Sequence, residues 1–232
     1  MKTPLRVLLV GAKGRMGQAV AAAAAGETGL TISAAVDRDD SLADAIDDCD
    51  LVIDFSAAEA TTAVCRACAE HRKPLVLGTT GQSETQRNAV TEAARIVPVV
   101  FAANFSVGVN VLFALTRAAA KSLGKDFDVD VIEMHHRTKK DAPSGTAKRL
   151  LEILRQVRGG DDEIAAHSIR ASDIVGEHTV IFSGRGERLE LTHRAASREN
   201  FAAGALRAAR WLADQSPGLY NMEDVLGISP GR

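Results

Sequence analysis

No apolar run in the 232-residue sequence reaches the length of a membrane-spanning helix, and Lys2 leads directly into a strand-like run rather than a signal-peptide pattern. The expected location is the cytoplasm, with no membrane partner. Charge of one sign is also lacking: 28 basic residues stand against 30 acidic ones, so no field favours nucleic acid or an anionic surface. A small soluble ligand is the expected partner. Cysteine is scarce, and Cys49, Cys65 and Cys68 do not suggest a disulfide framework. Cys65-x-x-Cys68 followed by His71 lies in a helix-like run, and no second cysteine pair completes a zinc site; three buried thiols and no metal are expected. No G-x-S-x-G elbow surrounds Ser56, Ser106 or Ser144, which argues against a serine nucleophile. Internal repeats, low-complexity tracts and charged tails are missing too.

The chain exceeds the commonest single-domain size yet is short for two full domains, which predicts one large domain and one small. Apolar residues make up 46% of it, enough to fill real cores. Residues 5–10 form an apolar run of strand length. Glycines follow at once: Gly11-Ala12-Lys13-Gly14-Arg15-Met16-Gly17 opens an alanine-rich helical run to about Ala25, and 31–36 reads as a second strand ending at Asp37. This is a βαβ unit with a glycine-rich first turn. Short apolar strands recur at 51–55, 74–77 and 97–102, separated by helical patterns at 60–70 and 84–94, which predicts a parallel sheet.

Beyond Asn104 the texture changes. A helix over 107–123, a strand over 127–134 and a helix over 144–157 precede three segments, 164–171, 178–183 and 188–195, that read as antiparallel strands. The last two are joined at Gly184-Arg185-Gly186. A final helix over 198–214 precedes a tail in which Pro217 and Gly218 should break regular structure. The expected fold class is α/β. An N-terminal Rossmann-like dinucleotide-binding domain takes residues 1–104 and 199–232, the C-terminal segment returning to it, and a smaller α+β domain with a mixed or antiparallel sheet takes 105–198. A mostly open sheet in so small a domain must cover its other face, which predicts a homo-oligomer.

The glycine loop suits a pyrophosphate: small residues let the backbone approach, and the following helix aims free amides and its dipole at the charge. Ala12-x-Gly14-x-x-Gly17 keeps the usual spacing with alanine in the first glycine's place, and Asp37 follows about twenty residues later. Asp37 is expected to accept from an adenosine ribose, while Arg38 is placed to pair with the additional phosphate of NADP, so NADH and NADPH should both serve with a modest NADH bias. Gly78-Thr79-Thr80-Gly81 and Ala102-Ala103-Asn104-Phe105-Ser106 follow strands at the carboxyl edge, where small residues admit a flat nicotinamide ring.

The densest chemistry lies between Glu133 and Ala147. His135 and His136 adjoin an apolar strand, Lys139 follows, and Pro143 leads into a helix start at Ser144-Gly145-Thr146. Imidazole gives and takes protons near neutral pH, lysine donates a proton or holds an anion, and a helix N-terminus docks a carboxylate or phosphate. The stretch reads as an anion-handling acid/base site. His167, His178 and His193 are scattered on strands and read as satisfied or surface histidines.

Four blocks then resemble one family: Val10-Gly11-Ala12-x-Gly14-Arg15-Met16-Gly17, Gly78-Thr79-Thr80-Gly81, Ala102 through Asn110, and His135-His136 through Asp141-Ala142-Pro143-Ser144-Gly145-Thr146-Ala147. They look like 4-hydroxy-tetrahydrodipicolinate reductase, also called dihydrodipicolinate reductase. The resemblance covers most of the chain in the family's order. It implies that NADPH or NADH delivers hydride to a cyclic, imine-bearing dicarboxylate in lysine and diaminopimelate synthesis, within a homotetramer. It further implies His135 as acid/base residue and Lys139 as proton donor, with His136, Ser144, Gly145 and Thr146 binding substrate. Cofactor contacts are implied for Gly11, Ala12, Lys13, Gly14, Arg15, Met16, Asp37, Arg38, Gly78, Thr79, Thr80, Ala102, Ala103, Asn104 and Phe105. Two segments, 38–50 and 159–172, are shorter than in many relatives, and Thr138 stands where some have histidine. The competing readings are a sensor that binds NAD(P) without turnover and a different imine or amino-acid dehydrogenase.

Overall fold

A computed structural model describes residues 3–160 and 163–228. The chain divides into two units, one running to Ser106 and resuming over Glu199–Gly227, the other covering Val107–Arg198.

The first unit is built on strands β1 (Leu5–Val10), β2 (Leu30–Val36), β3 (Leu51–Asp54), β4 (Leu75–Leu77), β5 (Pro98–Phe101) and β10 (Gly218–Tyr220), all parallel, in the order β10-β5-β4-β3-β1-β2. Strands β3 and β4 are buried at every residue, as parallel strands covered on both faces must be, and this is why they read as continuous apolar runs. On one face Val7, Leu9, Ile53 and Val76 join Val20 of α1 (Arg15–Ala25) and Ala205 and Leu206 of α7 (Glu199–Leu212). On the other, Leu8, Val52 and Leu75 meet Cys65 and Cys68 of α3 (Thr61–Glu70) and Val90 of α4 (Glu84–Ala94). Burial pushes the Cys65 thiol up to about 12 and raises the Cys68 thiol well above its ordinary value, so both are inert fillers. Among the described residues no cluster of three metal-ligating side chains occurs, and no helix is long and apolar enough to cross a membrane.

The tail departs from expectation. Gly218 does not end regular structure but begins β10, which adds to the sheet beside β5. An edge strand tolerates a preceding proline, because no central ladder bond is lost there. A short helix α8 (Met222–Leu226) follows and opens on a capping box at Asn221. A further short helix, α2 (Leu42–Ala45), occupies part of the 38–50 segment.

The second unit carries α5 (Val107–Leu123), β6 (Asp128–His135), α6 (Gly145–Arg158), β7 (Ala165–Arg170), β8 (Gly176–Gly184) and β9 (Glu187–Ala195), with strand order β7-β6-β8-β9. Strand β6 alternates, burying Val129, Val131, Glu133 and His135 on one face together with Val180 and Phe182 of β8 and Leu150 and Leu154 of α6. Strands β8 and β9 form the expected hairpin, with Gly186 at φ 87° in a two-residue turn. Strand β7 corrects the sequence reading: it runs parallel to β6, not antiparallel. Helix α6 lies between them as a crossover, which returns the chain to the starting edge and imposes the parallel direction. Residues 161 and 162, within the trimmed 159–172 segment, lie outside the described residues.

Candidate functional site

Strand order in the first unit reverses at β1, with β2 on one side and β3 on the other, so the carboxyl ends of β1 and β3 flank the position where doubly wound folds bind ligands. Gly11 adopts φ 80°, and a Cβ there would fall 2.7 Å from the Phe55 carbonyl oxygen. Gly17 packs the helix onto the loop so closely that a Cβ would stand 2.2 Å from the Gly11 carbonyl oxygen. Gly14 is the N-cap of α1 and offers no side chain to its first-turn amides, which also have no acidic neighbour in that turn. Those amides are left for an exogenous anion, and the cradle fits a dinucleotide pyrophosphate.

Asp37 ties this loop to the end of β2. One carboxylate oxygen accepts from the Lys13 amide at 2.9 Å and the other from the Arg38 amide at 2.9 Å. The Arg38 and Lys13 amides hold its carboxyl below the usual range. Lys13, Gly14, Arg15 and Arg38 are exposed, and Ala12 and Met16 half-buried.

The neighbouring loops are more constrained than their sequences suggest. A Cβ on Gly78 would strike the Phe55 ring at 2.1 Å, and the rings of Phe55 and Phe105 meet edge to face at 5.5 Å. Phe105 is 2% exposed and belongs to the core, so only its backbone is open to a cofactor. Asn104 accepts from the Ser106 amide at 2.8 Å and so shapes the turn into α5. Ala102 is half-buried, whereas Ala103 and Thr80 are exposed. Sequence reasoning passed over Asp54. Its carboxyl is fully buried at the end of β3, one oxygen accepts from the Ser56 amide at 2.7 Å, and burial raises its proton affinity. The Ser56 and Thr79 hydroxyls lie beside the carboxyl and pull the other way without offsetting burial. The signal was a lone acid closing an otherwise apolar strand.

In the second unit, alternation on β6 puts Glu133 and His135 on the same face, with Arg170 of β7 and His178 of β8 alongside. Glu133 is 0% exposed, and hydrogen-bond donors converge on its carboxylate. His135 Nδ1 bonds one carboxylate oxygen, Arg170 grips both at 2.9 and 2.6 Å, and the Ser144 amide reaches it at 3.2 Å. Burial opposes ionisation, but hydrogen bonds from Arg170, Ser168 and His135 outweigh it and bring the Glu133 carboxyl down to about 2. Burial pushes the His135 imidazole below its ordinary value; Glu133 pulls the other way without offsetting it.

The loop after β6 carries the remaining groups. Lys139 Nζ donates to Asp141 at 2.7 Å, and His136 Nδ1 bonds the Thr138 hydroxyl at 2.8 Å. Ser144 caps α6 by accepting from the Ala147 amide at 3.2 Å, and its hydroxyl meets His178 Nε2 at 3.0 Å. It is 2% exposed, so its side chain serves the helix start, and the outward-facing positions there are Gly145 and Thr146. A Cβ on Gly145 would meet nothing within 4 Å, which leaves open space at the helix end. His178 is 4% exposed and burial lowers it to about 3, so it is a buried neutral partner of Ser144 and not a surface residue. His193 packs on Gly108, and His167 pairs with Asp130 on the exposed face. The missed residues, Arg170 and His178, reach the site by strand pairing alone, and no local spacing announces them.

A glycine-cradled parallel sheet joined to a unit with an anion-handling imidazole and lysine defines an NAD(P)H-dependent oxidoreductase of the Rossmann type. Two family models match almost the whole chain: "Dihydrodipicolinate reductase, N-terminus" over residues 5–105 and "Dihydrodipicolinate reductase, C-terminus" over 108–226. The chain belongs to the dihydrodipicolinate reductase family. The 4-hydroxy-tetrahydrodipicolinate reductase of Akkermansia muciniphila is 47% identical, with 97% of this chain and 99% of that protein covered. The enzyme of the same name from Halorhodospira halophila is 43% identical at 97% and 99% coverage. These alignments run over 243 and 265 positions, more than the 232 residues here, so both relatives hold residues this chain lacks. A solved dipicolinate-bound dihydrodipicolinate reductase from Paenisporosarcina sp. TG-14 shares the fold, with a TM-score of 0.84, 23% identity and coverage of 94% of this chain and 98% of its own.

Proposed function

We propose that the chain reduces 4-hydroxy-tetrahydrodipicolinate, by way of its dehydrated dihydrodipicolinate form, to tetrahydrodipicolinate in lysine and diaminopimelate synthesis. One hydride and one proton enter and one water leaves. The observation that carries this reading is the end of β6, where His135, Lys139 and the capped start of α6 meet in a chain of this family.

NADH or NADPH, when bound, supplies the hydride. The Gly11–Met16 loop and the first-turn amides of α1 would hold its pyrophosphate, Asp37 would accept from the ribose and Arg38 would pair with a 2′-phosphate. Thr79, Thr80 and the Ala102–Phe105 backbone bound the nicotinamide end. In the second unit, the substrate's two carboxylates are taken by His136 and by the Gly145 and Thr146 helix start, where dipole and amides favour anions. Lys139 leaves Asp141 for the incoming dianion and, with His135, supplies the proton. Ser144 acts through the helix cap and not by direct contact.

The protein works in the cytoplasm as a homotetramer built through the second-unit sheet. Dipicolinate, the planar dicarboxylate bound in the Paenisporosarcina enzyme, is expected to compete with substrate. Steady-state kinetics with dipicolinate test this: a raised KM at constant kcat supports the dicarboxylate site, and the absence of inhibition at millimolar dipicolinate counts against it.

A further inference from the structure

We infer that Glu133 is the positioning residue of the reduction: held by Arg170 and the Ser144 amide, it fixes His135 with Nδ1 inward, so that Nε2 exchanges the proton. The inference rests on the function proposed above and concerns a residue two positions before the histidine, on the same strand face.

An ionised carboxylate only accepts, and Glu133 is ionised at neutral pH, so the bond to His135 Nδ1 requires that nitrogen to carry hydrogen. In the neutral ring the lone pair then sits on Nε2. Glu133 cannot turn away, because both its oxygens are held by the Arg170 guanidinium, which also donates to the Asp141 carbonyl at 2.6 Å and so ties β7 to the loop carrying Lys139. A side chain at Gly176 of β8 would come within 3.1 Å of His135 Nε2, so glycine there leaves that nitrogen uncrowded. The arrangement has the logic of a carboxylate that orients a catalytic imidazole and stabilises its protonated form.

The charged and titratable groups facing His135 come from every element around it. They are Glu133 on its own strand, Arg170 on β7, His178 on β8 with ring centroids 5.1 Å apart, and Lys139 with its partner Asp141 on the following loop. Glu133 supplies the influence that favours imidazolium, against Lys139 and Arg170. Removing its charge therefore lowers the proton affinity of His135.

Two measurements on the full-length protein test the inference. In the wild type, 15N imidazole spectra, with His135 assigned by loss of its signal in His135→Asn, should show the Nδ1–H tautomer for the neutral ring. An Nε2–H tautomer overturns the proposal, and this readout needs neither turnover nor a Glu133 variant. In Glu133→Gln, kcat should fall at least about tenfold while KM for the dicarboxylate changes little, and the limb of the kcat profile governed by His135 should move to lower pH. An unmoved limb in a cooperatively folded variant overturns it. If Glu133→Gln does not fold, the wild-type tautomer decides alone. Wild-type protein inactive toward the dicarboxylate, with the Nδ1–H tautomer present, would instead refute the proposed substrate.

Discussion

His135 and Lys139 lie four positions apart in sequence and are held in different ways. The imidazole is nearly buried and bonded to the buried Glu133 carboxylate, while the ammonium pairs with the exposed Asp141. His135→Ala and Lys139→Ala should each lower turnover by roughly 10²- to 10⁴-fold, as loss of an acid/base group does; turnover at the wild-type level in either variant would remove that residue from the mechanism. His178 makes a different prediction. Its folded value lies near 3, below the ordinary 6.5, so the folded state prefers it neutral. Its contribution to stability is complete above about pH 6.5 and is lost as pH falls toward 3. Thermal melts of wild type and His178→Gln between pH 7 and 4 should show a shallower decline in the variant, and parallel curves would refute the assignment. At this scale the candidate groups were legible in the sequence, because two histidines, a lysine and a helix start crowd into one stretch. The sequence hid the groups packed behind them: Arg170 meets Glu133 across 37 positions, a distance that only strand pairing closes.

The elements of the first unit were readable because a parallel sheet writes itself as buried apolar runs between helices, and the observed bounds of α4 and α5 match the pattern residue for residue. Three features escaped. The direction of β7 follows from the crossover through α6 and not from its own residues, β10 is only three residues beside a proline, and α2 is a single turn. Close approach of elements was equally invisible, and Gly17 shows its consequence. Methyl insertion there meets the Gly11 carbonyl and the Ala12 Cα, both backbone, so the loop must shift. Gly17→Ala should weaken NADH and NADPH alike by about tenfold or more, with overpacking costing about 1–3 kcal/mol of stability; fluorescence titration giving wild-type Kd values would show that the cradle does not depend on this contact.

Taken whole, the molecule leaves one sheet face of the second unit uncovered by that unit's own helices. Ile132, Met134 and Ile181 are half-buried there and Ile169 is 43% exposed, among Glu177–Arg194 and His167–Asp130 ion pairs. Apolar residues ringed by charge mark a surface that associates. Multi-angle light scattering at micromolar concentration should give the mass of four chains, and Ile132→Glu with Ile181→Glu should dissociate it; a monomeric wild type would refute the assembly. That open face was legible in outline, from strand alternation and the small size of the unit.

The central claim is tested by following the absorbance of NADH and NADPH with purified protein and freshly generated 4-hydroxy-tetrahydrodipicolinate. The account predicts rapid oxidation of both cofactors that depends on the dicarboxylate and is abolished in His135→Ala. No oxidation by a protein that still binds cofactor would contradict it.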